Sequence, residues 1–197
     1  LCLGILRATE GKGLHNLACI TYEEGLGCGL VNEGQLLLGR NGYANELGHI
    51  TIDRNGAICG CGNKGCLETL STDVALAQAL SAREGRTLSI DDVLAETKAS
   101  TLDPAPEIDD VVDYLSIAVA ATINLFDPEA IFLSGHFLSL APELPAELEK
   151  RARTRALGPV EKKVRILQTQ LTVAEGAIAG AIHEVYTTMG PALDARR

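Results

Sequence analysis

The sequence is short of positive charge: 17 lysines and arginines face 26 aspartates and glutamates, for a formal net charge of −9. Affinity for nucleic acid rests mostly on cations that neutralise phosphates, so this chain is not expected to grip DNA by itself. It also lacks any apolar run near the roughly 20 residues of a membrane-spanning helix, and any charged segment followed by an apolar stretch of the kind that directs secretion. A cytoplasmic location without membrane contact is expected. No internal repeat or low-complexity linker breaks the pattern. Apolar residues make up 46% and charged residues 22% of 197, the composition of a folded chain long enough for one domain with a sizeable core. The chain opens at Leu1, inside a helix-like stretch rather than at a methionine, which reads as part of a longer protein.

The residue pattern predicts an α/β fold. Leu1 to Glu10 reads as a helix stopped by the glycines of EGKG. Leu17–Tyr22 and Gly29–Asn32 are β-rich, and Asn32-Glu33-Gly34 is turn chemistry leading into Gln35–Leu38, so an antiparallel hairpin or meander is expected. Between Gly39 and Gly65 lie seven glycines and little periodicity, an irregular excursion that needs an organiser. Helical periodicity then covers Leu67–Arg83, a segment from Ser89 with Asp91 in its first turn, and Ile108–Leu125. Ala130–Gly135 reads as a fully buried strand and Pro142–Ala156 as a helix. A short strand over Lys163–Gln168 and an amphipathic helix over Thr172–Met189 complete the order, with parallel strands implied by the late alternation.

The organiser is legible in HITIDRNGAICGCGNKGC. His49 stands ten residues before Cys59, with Cys61 and Cys66 at +2 and +5. Thiolates and imidazole are the donors that zinc prefers, and four protein ligands leave no open position, so a structural zinc ion is expected on His49, Cys59, Cys61 and Cys66. Two other readings remain: reduced or disulfide-bonded cysteines, and an iron–sulfur cluster. Three cysteines in a polar glycine-rich loop cannot all enter an apolar core, an odd number leaves one thiol unpaired, and clusters usually take four thiolates. Cys2 and Cys28 stand apart and read as small core residues.

ANELGH at 44–49, CGCGNKGCLE at 59–68 and FDPEAIFLSG at 126–135 together resemble the ROK family of bacterial sugar kinases and sugar-responsive transcriptional repressors. The resemblance implies the actin-like, or ribonuclease-H-like, α/β fold with a zinc-binding loop at about 44–68. It covers most of residues 1–197, but only the carboxy-terminal half of a typical member. The amino-terminal lobe and any DNA-binding domain would lie outside this chain. It further implies that Glu46, His49 and Glu68 reach sugar hydroxyls, with His49 also a zinc ligand. Carboxylates accept charge-assisted hydrogen bonds from hydroxyls, and metal ligation would fix the His49 tautomer. A small-molecule sugar, a hexose or N-acetylhexosamine, is the expected ligand, and a homodimer or higher homo-oligomer the expected assembly.

The sequence departs from the kinases of that family. It contains no Asn-Asp pair to supply a general base, so no catalytic residue is assigned. Where they carry a Gly-Thr-Gly-x-Gly phosphate turn, this chain reads Glu23-Glu24-Gly25-Leu26-Gly27, which sets negative charge against phosphate. The glycine-rich turn near adenine becomes Leu133-Ser134-Gly135-His136, and Asn45 replaces the glycine usual before Glu46. ATP with Mg2+ is expected only under the alternative that the chain is the carboxy-terminal half of a kinase. The favoured expectation is the sugar-sensing, dimerising effector domain of a repressor that meets DNA through another domain; a zinc-stabilised scaffold without sugar is the third reading. Lys150, Arg151, Arg153 and Arg155 read as a solvated helix face, His15, His136 and His183 receive no role, and Gly176 and Gly180 fit close helix packing.

Overall fold

The computed structural model describes residues 1–7, 11–158 and 164–194. Five strands form one mixed sheet: β1 (Leu17–Tyr22), β2 (Leu26–Asn32), β3 (Gln35–Leu36), β4 (Ala130–Ser134) and β5 (Arg165–Gln168), in the order β3-β2-β1-β4-β5. β1, β2 and β3 form an antiparallel meander, and β4 joins β1 in parallel, as β5 joins β4. Among the described residues six α-helices surround it: α1 (Cys2–Arg7), α2 (Asp73–Glu84), α3 (Ile90–Lys98), α4 (Ala105–Phe126), α5 (Leu144–Arg155) and α6 (Val173–Asp194). This is the expected α/β lobe.

The meander follows from its turn. Glu33 and Gly34 both take positive φ, 50° and 76°, the backbone of a two-residue type I′ connection. It fixes the pairs Asn32 with Gln35 and Val31 with Leu36. Period-two alternation then divides β1 and β4 between two cores. Ala18, Ile20, Tyr22, Ile131 and Leu133 join the larger core with α2, α4 and α5. Leu17, Cys19, Ala130 and Phe132 face the smaller one, with Cys2 and Ile5 of α1. All five β4 residues are buried, as a central strand covered on both faces requires. Cys2 is buried, whereas Cys28 is only half-buried against the larger core.

α1 and α6 cross at glycines. A Cβ on Gly4 would stand 2.8 Å from the Gly176 Cα, so the helices meet backbone to backbone. The row on α5 is more than a solvated face: Arg151 pairs with Asp109 and Glu147, Arg153 with Glu149, and Arg155 with Asp113. Of these pairs, Arg151 with Asp109 and Arg155 with Asp113 cross from α5 to α4, whereas the other two lie within α5.

Several boundaries differ from expectation: α4 begins at Ala105 rather than Ile108, β3 ends at Leu36 rather than Leu38, and α5 spans Leu144–Arg155 rather than Pro142–Ala156. The helix expected from Leu67 begins at Asp73. Leu67–Thr69 is a 3-10 turn, and the hydroxyls of Ser71 and Thr72 bond back to the carbonyls of Leu67 (2.8 Å) and Glu68 (3.1 Å). Thr72 then caps α2 by accepting from Ala75 N at 3.1 Å, the usual work of a threonine at that position. β2 begins at Leu26 rather than Gly29, and α6 runs on to Asp194. The expected end of α1 at Ala8–Glu10, the start of β5 at Lys163 and the side chain of His183 lie outside the described residues. Among the described residues no helix is long and apolar enough to cross a membrane.

Candidate functional site

Between β3 and α2 the chain runs from Leu37 to Thr72 with two 3-10 turns as its only helical turns, yet from Ala44 onward it is held by a series of backbone hydrogen bonds. Cys59 N donates to Asn63 O at 2.8 Å and Gly65 N to Ala57 O at 2.8 Å, making a small hairpin over residues 57–65. Gly62 at its tip and Gly65 at its base have φ of 90° and 69°. A Cβ on Gly65 would also collide with the Asp53 carbonyl, because Gly65 O receives both Ile52 N and Asp53 N. Leu67 N donates to Ile50 O at 2.9 Å and ties this hairpin to the Leu47–His49 turn. Gly48 is forced in the same way, for its Cβ would meet the Leu26 carbonyl at the start of β2.

These turns bring together four residues widely spaced in sequence. One ligand atom each from His49, Cys59, Cys61 and Cys66 lies within 4.8 Å of the others. The Cys61 and Cys66 sulfurs are 3.7 Å apart, as are the Cys59 sulfur and His49 Nδ1. A zinc–sulfur bond of about 2.3 Å sets the sulfur–sulfur edge of a tetrahedron at about 3.8 Å, so the donors fit such an ion in type and separation. His49 turns Nδ1 toward Cys59 and Nε2 toward Glu46 Oε2 at 3.7 Å. Without an ion the thiols titrate apart: donation to Glu68 pushes Cys59 up to about 12, burial raises Cys66, and a backbone hydrogen bond at Asn63 lowers Cys61.

Glu46 and Glu68 flank that centre. Glu68 Oε1 accepts from the Cys59 thiol at 2.9 Å and lies 3.5 Å from His49 Nδ1. Its carboxylate also faces the β1–β2 turn, where a Cβ on Gly25 would stand 3.1 Å from Oε2. The turn is Glu23-Glu24-Gly25. Glu24 is exposed, but Glu23 is half-buried and accepts from the Ser134 hydroxyl at 3.1 Å. Glu23 directly follows β1 and Ser134 ends β4, so this carboxylate bridges the carboxyl ends of two parallel strands. That edge of an open α/β sheet is where ligands bind.

One group near this edge went unread in the sequence. Asp73, at the start of α2, is almost fully buried; it accepts from His136 N (3.0 Å) and Phe137 N (2.8 Å) and shares a hydrogen bond with His136 Nδ1 (2.8 Å). It pins the turn after β4, and burial, the strongest influence, raises its carboxyl above the ordinary range. His136 therefore has a partner. Gly135 is explained locally too, because a Cβ there would run into the Tyr22 ring. The one cue in sequence was an aspartate just after a capping threonine, which suggests a helix start and nothing about a partner 63 residues away.

The sequence profile described as ROK family matches residues 3–185. The chain is 26% identical over 160 residues to the xylose repressor of Bacillus subtilis (strain 168), covering 81% of this chain and 41% of that protein. It is 31% identical over 193 residues to a glucokinase of Halalkalibacterium halodurans, covering 90% and 58%. A crystal structure of a ROK family transcriptional regulator, a homologue of the E. coli MLC protein, superposes with a TM-score of 0.76 at 29% identity, covering 88% of this chain and 46% of that one. The chain thus spans about half the length of the relatives it matches. With repressors and kinases alike among its relatives, and a profile that spans nearly its whole length, this chain belongs to the ROK family.

Proposed function

We propose that this chain is the sugar-sensing effector part of a ROK-type transcriptional repressor. In this reading it binds a hexose or N-acetylhexosamine through Glu46, His49 and Glu68, beside a structural zinc ion on His49, Cys59, Cys61 and Cys66. The zinc would supply no chemistry beyond holding the loop, since its four ligands leave no open position. Residues 1–197 act as one sugar-binding and dimerising unit in the cytoplasm, and DNA is met through a domain outside this chain.

The observation that carries the choice of sensor over enzyme is the Glu23 carboxylate, bonded to Ser134 at the carboxyl ends of β1 and β4. Phosphoryl transfer depends on positioning and on neutralising the charge of the transferring group. A fixed carboxylate at the ligand-binding edge of the sheet opposes both. A sensor needs sugar binding alone, which then shifts an equilibrium between operator-bound and released forms. The likeness to a glucokinase favours a second reading, the carboxy-terminal half of an ATP-dependent sugar kinase using Mg2+.

One experiment separates them. The complete natural protein, assayed with Mg-ATP over a sugar panel, is expected to give background turnover, while the sugar that binds it weakens operator binding. Sugar-dependent ATP consumption on the order of 1 per second or faster would establish the kinase instead. Calorimetry with Glu46→Ala and Glu68→Ala should show each weakening that sugar by about 1.5 kcal/mol or more, the loss of a charged hydrogen bond.

A further inference from the structure

We infer that Asn45 is the positioning residue for Glu46, and that its side-chain amide, by closing the loop from Leu37, sets the direction from which Glu46 meets a sugar hydroxyl. This rests on the reading of Glu46 as a sugar ligand. Asn45 has φ of 70°, a left-handed backbone that non-glycine residues seldom take and that asparagine takes more readily than most. Its Nδ2 donates to the Leu37 carbonyl at 2.9 Å, and beside it Ala44 N donates to Leu38 O at 3.3 Å. Together they fasten the neck of the loop that runs from Leu37 to Asn45.

The Asn45 carbonyl then accepts from Leu47 N at 2.7 Å. With φ −72° and ψ 55°, Glu46 sits at the centre of an inverse γ-turn. The Glu46 carbonyl in turn accepts from His49 N at 3.1 Å. The backbone of Glu46 is therefore held on both sides, and its Cα–Cβ direction follows from the turn that Asn45 begins. The carboxylate has no comparable clamp: it is 57% exposed, and His49 Nε2 stands 3.7 Å away. Orientation of Glu46 is inherited from the backbone, and the amide of Asn45 secures that backbone to the rest of the loop.

Glycine at position 45 would keep the left-handed turn but lose the amide and gain freedom. Aspartate tolerates the same turn but cannot donate. Asn45→Gly and Asn45→Asp should each weaken glucose or N-acetylglucosamine, whichever the wild-type protein binds, by roughly fivefold or more, with zinc content and melting temperature unchanged. Hydrogen exchange at the Leu47 and His49 amides should quicken in both variants. In a Glu46→Ala background Asn45→Gly should cost nothing further, which a merely structural residue would not show. Wild-type affinity in Asn45→Gly, an additive double variant, or unchanged exchange would overturn the role of Asn45 alone. Absence of binding by the wild-type protein would instead overturn the sugar reading on which it stands.

Discussion

The Cys59 thiol donates to Glu68 Oε1 across 2.9 Å, so a candidate metal ligand and a candidate sugar ligand hold each other. A carboxylate accepting from a thiol is less free to accept from a hydroxyl. A Cys59 thiolate bound to an ion would no longer donate, which would leave Glu68 free to accept from a sugar hydroxyl. We predict that removing the metal with a chelator weakens sugar binding even where the fold survives, and that restoring zinc recovers it. Equal affinity before and after chelation, measured by calorimetry, would separate the two sites.

Zinc itself should be present at one equivalent per chain in tag-free protein purified without added metal, as elemental analysis can check. Cys61→Ser should lower that content and loosen residues 57–66, since structural metal affinity is coupled to local folding. The sheet should remain intact, because neither core includes the hairpin.

Gly65→Ala should damage the same loop by a different route. Its φ of 69° strains any side chain, and the Asp53 carbonyl occupies the place of the Cβ. A backbone that must shift there moves the hairpin against the Leu47–His49 turn, so zinc content should fall although every ligand is retained. Full zinc occupancy in this variant would mean the loop tolerates a different path.

Asp73 should mark the stability curve. Burial raises its carboxyl, so the folded protein keeps that proton to higher pH than the unfolded chain. Its contribution is then fully present below the unfolded value and is lost as pH rises through the folded one. Lowered carboxyls such as Glu129 and Glu147 work in the opposite direction, so the useful quantity is a difference. Asp73→Asn turns a side-chain NH2 toward buried N–H donors and should cost about 2 kcal/mol. In urea melts the gap between wild type and variant should narrow as pH rises through that window; a constant gap would remove Asp73 as the titrating group.

The features written into local sequence were the readable ones. The spacing of His49, Cys59, Cys61 and Cys66 announced a four-donor cluster, and the turn residues Glu33-Gly34 announced the meander. The buried run at Ala130 announced a central strand. What stayed hidden depends on distance along the chain or on a hydroxyl's choice of partner. Helical periodicity ran through Ser71 and Thr72 because spacing does not reveal that their hydroxyls bond backward and delay α2. Asp73 with His136, and Glu23 with Ser134, become neighbours only when β1 and β4 lie side by side.

The sheet's outer strands are its shortest pairings. β3 offers two residues and β5 four, at opposite margins of the sheet. Unpaired backbone at a margin is what lets sheets grow from molecule to molecule, and brief margins withhold it. Copies of this protein that associate would thus meet through side-chain surfaces, whose chemistry selects a partner, rather than through main-chain pairing, which accepts almost any strand. Concentrated solutions should stay free of fibres.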